Sequence, residues 1–530
     1  MLKAVLIKPI MTVKAALSPR TLSRWLSDEG LTKKAYLNAL AVTLDYGARM
    51  AAGFIINPLL VAGLGNYAYG LWQILGRLIG YISAASGRPT QALKWTIAYR
   101  QASNNYDEKR RNVGSAVVVW LLFLPLLSVL GGILAWFAPV WLKTPMDISG
   151  RVRLTTALLV ADLILTTVAD IPHSVLQGEN LGYKRMGIST ALVFVPAGCT
   201  ALAVRLNTGL VGVAVANLVD PILTGVFFLL IVRTYAPWFG IAIPSIAEVK
   251  KFFRLSWWFL VWSVVNQLMM ASDVVVLGIL GSVESVTIYT LTKYVPETLI
   301  GFVANVVFGI TPGLGGIIGS GDLRKAVRVR SEIIAATWFI ATATGATTIL
   351  WDRSFVRLWV GKGHYAGSIP TLLIMFMVTQ LVLIRNDANI IDLTLKLSRK
   401  VLIGMLSAGL SLVLAGILVG PLKLGVIGLC VGFIAGRSIL SIGYPWIVGR
   451  AIGIPLSSQL KSALRPALTT FLLFTLALGL GEFYTASTWI GLVLAVGVTV
   501  VPVSLLAFYA GVPAEQRKHL LDRAWRAIRV

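Results

Sequence analysis

Apolar stretches of about twenty residues recur from Ala35 to Ala510, and no soluble core accommodates that many. A bilayer core of about 30 Å is crossed by about 20 mostly apolar residues in a helix. Barrel strands are about half as long, and lipid offers no partner to an unpaired backbone group, so helices are the expected solution. Spans are expected near residues 36–60, 66–87, 113–137, 154–176, 187–206 and 209–234. A second series falls near 253–280, 285–317, 332–351, 366–391, 400–419 and 424–449, followed by 463–481 and 487–510. The span at 285–317 is expected to stop before TPGLGG, because Pro312 and its glycines break helices. The fold class is therefore all-α and polytopic, with about 14 transmembrane helices.

Charge tests this count. The net charge of +25 would suggest nucleic acid in a soluble protein, but only 13% of residues are charged and 57% are hydrophobic. The basic residues sit between spans, where they set orientation rather than bind nucleic acid. With the N-terminus inside, 34 of the 47 Lys and Arg fall in inside segments and 8 in outside loops. A miscounted span would scramble that alternation. Both termini are thus expected on the cytoplasmic side of a bacterial inner membrane. Residues 1–34 read as an amphipathic N-terminus that Ser18 and Pro19 help to cap. Residues 511–530 form a similar tail, with Leu520, Leu521, Ala524, Trp525 and Ile528 on one face. Cys199 and Cys430 lie in separate spans and fit packing, not a disulfide or metal site.

The chain also repeats itself. Asn57–Arg77 aligns with Asp273–Lys293 at an offset of 216, which superposes Leu64 and Gly65 on Leu280 and Gly281, and Arg77 on Lys293. Trp141 answers Trp359 at 218, Asp170 answers Asp387 at 217, and Gly212 answers Gly428 at 216. Each unit holds six helices, so both copies have the same orientation. Two lobes (35–235 and 250–450) are expected about a pseudo-two-fold axis along the membrane normal, with a cavity between them. The pair at 460–510 stands outside the repeat.

Ionisable groups within spans are costly and usually line cavities or pair. Asp45 and Arg49 share a helix face, as do Lys293 and Glu297. Arg77 has no carboxylate three or four residues away, and its repeat partner is again basic. Arg77 and Lys293 therefore suit an anion on the pseudo-axis, with a diphosphate the natural candidate. Arg437, whose repeat counterpart is Asp220, could bridge the halves with it. Arg49 and Arg437 complete the candidate diphosphate ligands. Asp45, Asp220, Asp273 and Glu297 are candidates for ion coupling or salt bridges.

The segments LVAGLGNYAYGLWQILGRLIGYISAASGRPTQALKWTIA and VLQGENLGYKRMGISTAL resemble the multidrug/oligosaccharidyl-lipid/polysaccharide exporter superfamily, and within it the Wzx-type polysaccharide flippases. The resemblance implies alternating access around a cationic cavity. The cargo it implies is a polyprenyl-diphosphate-linked oligosaccharide moved from the cytoplasmic to the outer leaflet for surface polysaccharide biosynthesis. It further implies no bound cofactor, a proton or sodium gradient as driving force, and membrane lipid, glycosyltransferases and a polysaccharide polymerase as partners. A lipid II flippase would carry the same diphosphate. A MATE-type drug exporter would be expected to centre carboxylates on its cationic cargo. A membrane glycan polymerase or ligase would carry a longer outer loop than LKTPMDISGRVR or DRSFVRLWVGKGHYAGS, and no catalytic constellation marks an enzyme.

Overall fold

The computed structural model describes residues 31–529, apart from 85, 101–102, 320–321 and 394–396. The amphipathic reading of the N-terminus falls mostly outside the described residues. Among those residues the fold is entirely helical. The first lobe holds α1 (Leu31–Ala84), α2 (Pro89–Tyr99), α3 (Tyr106–Trp141), α4 (Met146–Gly178), α5 (Ile188–Arg205), α6 (Gly209–Asn217) and α7 (Val219–Tyr235). The second holds α8 (Ile246–Leu280), α9 (Val283–Gly319), α10 (Leu323–Val360), α11 (Ser368–Leu393), α12 (Leu397–Val419) and α13 (Gly425–Ile452). Helices α14 (Leu456–Phe483) and α15 (Trp489–Leu506) follow, then α16 (Ala514–Arg529).

Among the described residues, twelve helices are long and apolar enough to cross a membrane. The first of these contains two of the expected spans, because Gly65 interrupts α1 with φ 78° and ψ 167°. Only glycine adopts that backbone without steric cost. Its repeat mate Gly281 ends α8, where a Cβ would lie 2.6 Å from the Leu277 carbonyl oxygen. The two aligned glycines thus interrupt the helix at the same place in each lobe, with different backbone angles. With α9 the total reaches fourteen.

One expectation about helix ends fails. Helix α9 continues through Pro312 to Gly319 instead of stopping before TPGLGG. A membrane helix tolerates proline where neighbouring helices, hydroxyl side chains or a local backbone adjustment satisfy the freed carbonyl. The span expected at 209–234 is found at Gly209–Tyr235, with a local irregularity at Leu218 between α6 and α7, where the backbone stays helical. Pro221 supplies no N–H to the Asn217 carbonyl, so the ladder lacks a bond at that turn.

Burial follows a bilayer, not water. Leu464, Leu468, Phe471 and Leu472 on α14, and Ile490, Val493, Leu494 and Val498 on α15, are all exposed. Apolar surface of that extent on a soluble protein would aggregate, whereas acyl chains solvate it at no cost. Helices α14 and α15 pack on α10, on the outside of the second lobe. The lobes meet where α1 packs on α8 and α9. Close approach there uses Gly70, whose Cβ would sit 2.2 Å from the Val283 carbonyl oxygen. Leu71, Ile74 and Leu75 of the first lobe join Val274, Leu277 and Val286 of the second in one buried cluster.

Candidate functional site

Polar side chains recur on α1 and α9 at helical spacing and so share a face. Tyr69, Gln73 and Arg77 stand four residues apart beyond the Gly65 break. Thr290, Lys293, Tyr294, Glu297 and Thr298 follow the same logic on α9. With Tyr46, Asn57 and Val274 they enclose a cavity of about 320 Å³ at the seam between the lobes. That is near the lower end of ligand-pocket volumes.

The seam is held by hydroxyls reaching across it. Tyr46 donates to the Thr298 carbonyl (2.8 Å) and Tyr294 to the Met50 carbonyl (2.8 Å). Thr287 donates to the Asn66 carbonyl (2.6 Å), and the Trp359 indole to the Phe54 carbonyl (2.7 Å). These bonds use second lone pairs on helix carbonyls, so they join the lobes without breaking either helix.

Inside the cavity the two repeat-related cations meet one carboxylate. Glu297 lies 3.9 Å from an Arg77 Nη and 3.5 Å from the Lys293 Nζ. Lys293 bonds more tightly to Asp273, at 2.6 Å, and Tyr289 donates to the same Asp273 oxygen, also at 2.6 Å. Asp273 and Lys293 are nearly fully buried, whereas Glu297 is half exposed and Arg77 a third exposed. The desolvation of Asp273 and Lys293 is compensated by each other, by Tyr289, by the Val274 N–H (2.9 Å) on Asp273 and by Glu297 beside Lys293. The first lobe differs. Asn57 occupies the position of Asp273 and accepts from Tyr69 at 3.2 Å. Arg77 therefore has no carboxylate of its own lobe and faces Glu297 of the other.

The remaining candidates are placed elsewhere. Asp45 does not pair with Arg49. It accepts from Arg185 (2.9 Å), Ser189 (2.8 Å) and Thr190 (3.1 Å), tying α1 to the turn before α5. Arg49 is exposed and lies outside the cavity lining. Arg49 shares the helix face, but the Arg185 guanidinium and two hydroxyls occupy the Asp45 carboxylate in its place. The expected Asp220–Arg437 bridge is also absent among the described residues. Asp220 is exposed on α7 and accepts from Thr224. Arg437 is buried in the second lobe, where it donates to the Met269 carbonyl (2.6 Å) and lies over the Phe433 ring. Asp387, the repeat mate of Asp170, pairs with Arg330 at 2.8 Å.

Sequence reasoning passed over Tyr46, Asn57, Tyr69, Gln73 and Tyr294 as lining. The signal was present: the offset of 216 sets Asn57 on Asp273, and polar residues repeat every four on otherwise apolar helices. No group of three or more His, Cys, Asp or Glu able to hold a metal occurs among the described residues.

Fold and site together define a two-lobed, multi-span membrane protein with a charged cavity at the seam of an internal duplication. Residues 36–310, more than half of the chain, match the polysaccharide biosynthesis protein family, and the chain belongs to that family. No curated protein matches it by sequence. Among solved structures, the lipid II flippase MurJ in an inward closed conformation matches with TM-score 0.66 and 14% identity, over 88% of this chain and 97% of that one. An inward-facing MATE-family multidrug resistance transporter of the MOP superfamily matches with TM-score 0.58 and 14% identity, over 80% and 99%. At such identities the likeness shows the fold, and the fold is that of the MOP superfamily.

Proposed function

We propose that this protein is a flippase that moves a polyprenyl-diphosphate-linked oligosaccharide across the bacterial inner membrane by alternating access of its two lobes. One observation carries the reading. Arg77 and Lys293 are repeat-related cations on opposite lobes, and they converge on Glu297 within the cavity. A diphosphate entering there replaces Glu297 as the shared partner. Guanidinium binds its oxygens bidentately and the ammonium adds a point charge. Tyr46, Tyr69, Asn57 and Gln73 offer hydroxyls and amides to the sugars. The family's role in polysaccharide biosynthesis supports this cargo. The basic end of the bundle faces the cytoplasm by the charge rule, so the direction is inner to outer leaflet. Transport, not bond-making, is the activity, and a proton or sodium gradient drives it. Asp45, Asp220 and Asp273 remain the carboxylates through which such a gradient would act.

The test is leaflet-to-leaflet transfer of a labelled polyprenyl-diphosphate oligosaccharide in proteoliposomes, beside the same assay with lipid II. Arg77→Ala, and Lys293→Ala combined with Asp273→Asn so that no buried charge is orphaned, should each abolish transfer while remaining folded. Transfer of lipid II alone would reassign the cargo. Expulsion of organic cations with no glycolipid transfer would replace the reading with drug export.

A further inference from the structure

The charge rule empties one end of the bundle of basic residues, and three of its eight Lys and Arg gather there in one place. The geometry points to a second anion site at this end, a cleft of Arg353, Arg357 and Lys362 that takes a phosphate-bearing group. The cleft encloses about 280 Å³, and Gly361, Gly363 and Tyr365 complete its wall. Arg353 and Arg357 are one helical turn apart at the end of α10, so their guanidinium groups project from one face. Lys362 comes from the connection to α11, where Gly361 (φ 94°) and Gly363 (φ 90°) allow the chain to fold back. Carboxylate compensation is slight. Only Arg353 has an acidic partner, Glu482 at 3.4 Å, and both are half exposed. Neither Arg357 nor Lys362 has an ion-pair partner among the described residues.

The cleft is preorganised. Its loop is fixed by the Ala366 N–H donating to Thr292 Oγ1 (2.9 Å) and by His364 bonding the Asn66 side chain (2.7 Å). Three like charges held together without matching carboxylates repel one another, and an anion relieves that repulsion. Guanidinium pairs bind phosphate oxygens in fork geometry. The same chemistry arrives from two sources, a phospholipid headgroup in the adjoining leaflet or a soluble diphosphate. The site is separate from the central cavity and does not depend on the transport reading.

The full chain in neutral detergent is titrated with dihexanoyl phosphatidylglycerol, dihexanoyl phosphatidylcholine and inorganic pyrophosphate, at low and high salt. Wild type is compared with Arg357→Gln/Lys362→Gln and with Arg153→Gln, another cation of the same end. The expected result is binding of phosphatidylglycerol or pyrophosphate that weakens with salt, weakens about tenfold in the double variant, and is unchanged in Arg153→Gln. Loss confined to phosphatidylglycerol identifies a headgroup site, and loss confined to pyrophosphate a soluble one. The single variant Lys362→Gln, with about threefold loss, serves if the double variant fails to fold. Absence of binding by wild type, or equal affinities in wild type and the charge variants, overturns the proposal.

Discussion

Glu297 is the one acidic group that both cavity cations share, and replacing it with Gln should tighten the binding of a diphosphate. At 3.5 and 3.9 Å, each contact carries a gross attraction of about 4–5 kcal/mol at an effective dielectric constant of about 20. The net figure is far smaller, because Glu297 is half exposed and Arg77 a third exposed. Exposed pairs of this kind are worth about 0.2–1 kcal/mol each. Two of them give about 0.4–2 kcal/mol that an entering diphosphate must overcome. Removing the charge while keeping the shape of the side chain should raise pyrophosphate affinity about 2–30-fold. Titration calorimetry of the full chain in detergent measures it directly. The gain should shrink at high salt, since the competing contacts are screened. Unchanged or weaker affinity in Glu297→Gln would refute the idea that Glu297 occupies the ligand's place. It would instead make Glu297 a positioning group for Arg77.

Four further outcomes follow from the geometry. Lys293→Met should lower stability by about 3–5 kcal/mol by stranding Asp273 in the interior, and adding Asp273→Asn should restore most of it in thermal unfolding. Arg185→Ala should destabilise by a similar amount, whereas Arg49→Ala should be neutral; the reverse order would return Asp45 to its helix neighbour. Gly65→Ala forces a side chain into a left-handed backbone and should cost about 1–2 kcal/mol, read as a lower unfolding temperature. At the start of α8, the Ser245 N–H holds the Glu248 carboxyl below its ordinary value of 4.5, helped by Arg111. A depressed carboxylate contributes stability above its unfolded value and loses it as pH falls, so Glu248→Gln should flatten the acid limb of an unfolding profile below about pH 4.5.

The spans and the duplication were legible because both are written in composition. Twenty apolar residues in a row admit little but a membrane helix, and a fixed offset survives divergence. The turns at Gly65 and Gly281 could be read as aligned glycines before their backbone angles were seen. Partners of charged groups were less legible. The sequence displays neighbours along one helix, so Asp45 was matched with Arg49, while its partner Arg185 lies 140 residues away on a turn. Arg77 has no carboxylate three or four residues away on its own helix, and its partner Glu297 stands on the other lobe, where no spacing along one helix reveals it. The helix break expected before TPGLGG failed for a physical reason. Proline removes a donor wherever it stands, but the surroundings decide whether the freed carbonyl ends the helix, and at Pro221 and Pro312 alike the span carries through.

The asymmetry between the two repeats bears most directly on how the cavity works. Duplication delivered a cation to each lobe, at positions 77 and 293, and a polar residue one helix earlier, at 57 and 273. In the second lobe that residue is an acid, and it locks Lys293 at 2.6 Å in the interior. In the first lobe it is Asn57, which takes a bond from Tyr69 and leaves the guanidinium uncompensated. Arg77 can satisfy its charge only across the seam, through Glu297 or through a bound anion. On the proposed alternating-access reading, separation of the lobes here would lengthen the Glu297 contact and favour the second option. A ligand that bridges Arg77 and Lys293 would draw the lobes together again. On that reading, having Asn57 rather than an acid opposite Asp273 would give the closed and open arrangements different affinities for an anion, the differential binding that alternating access requires.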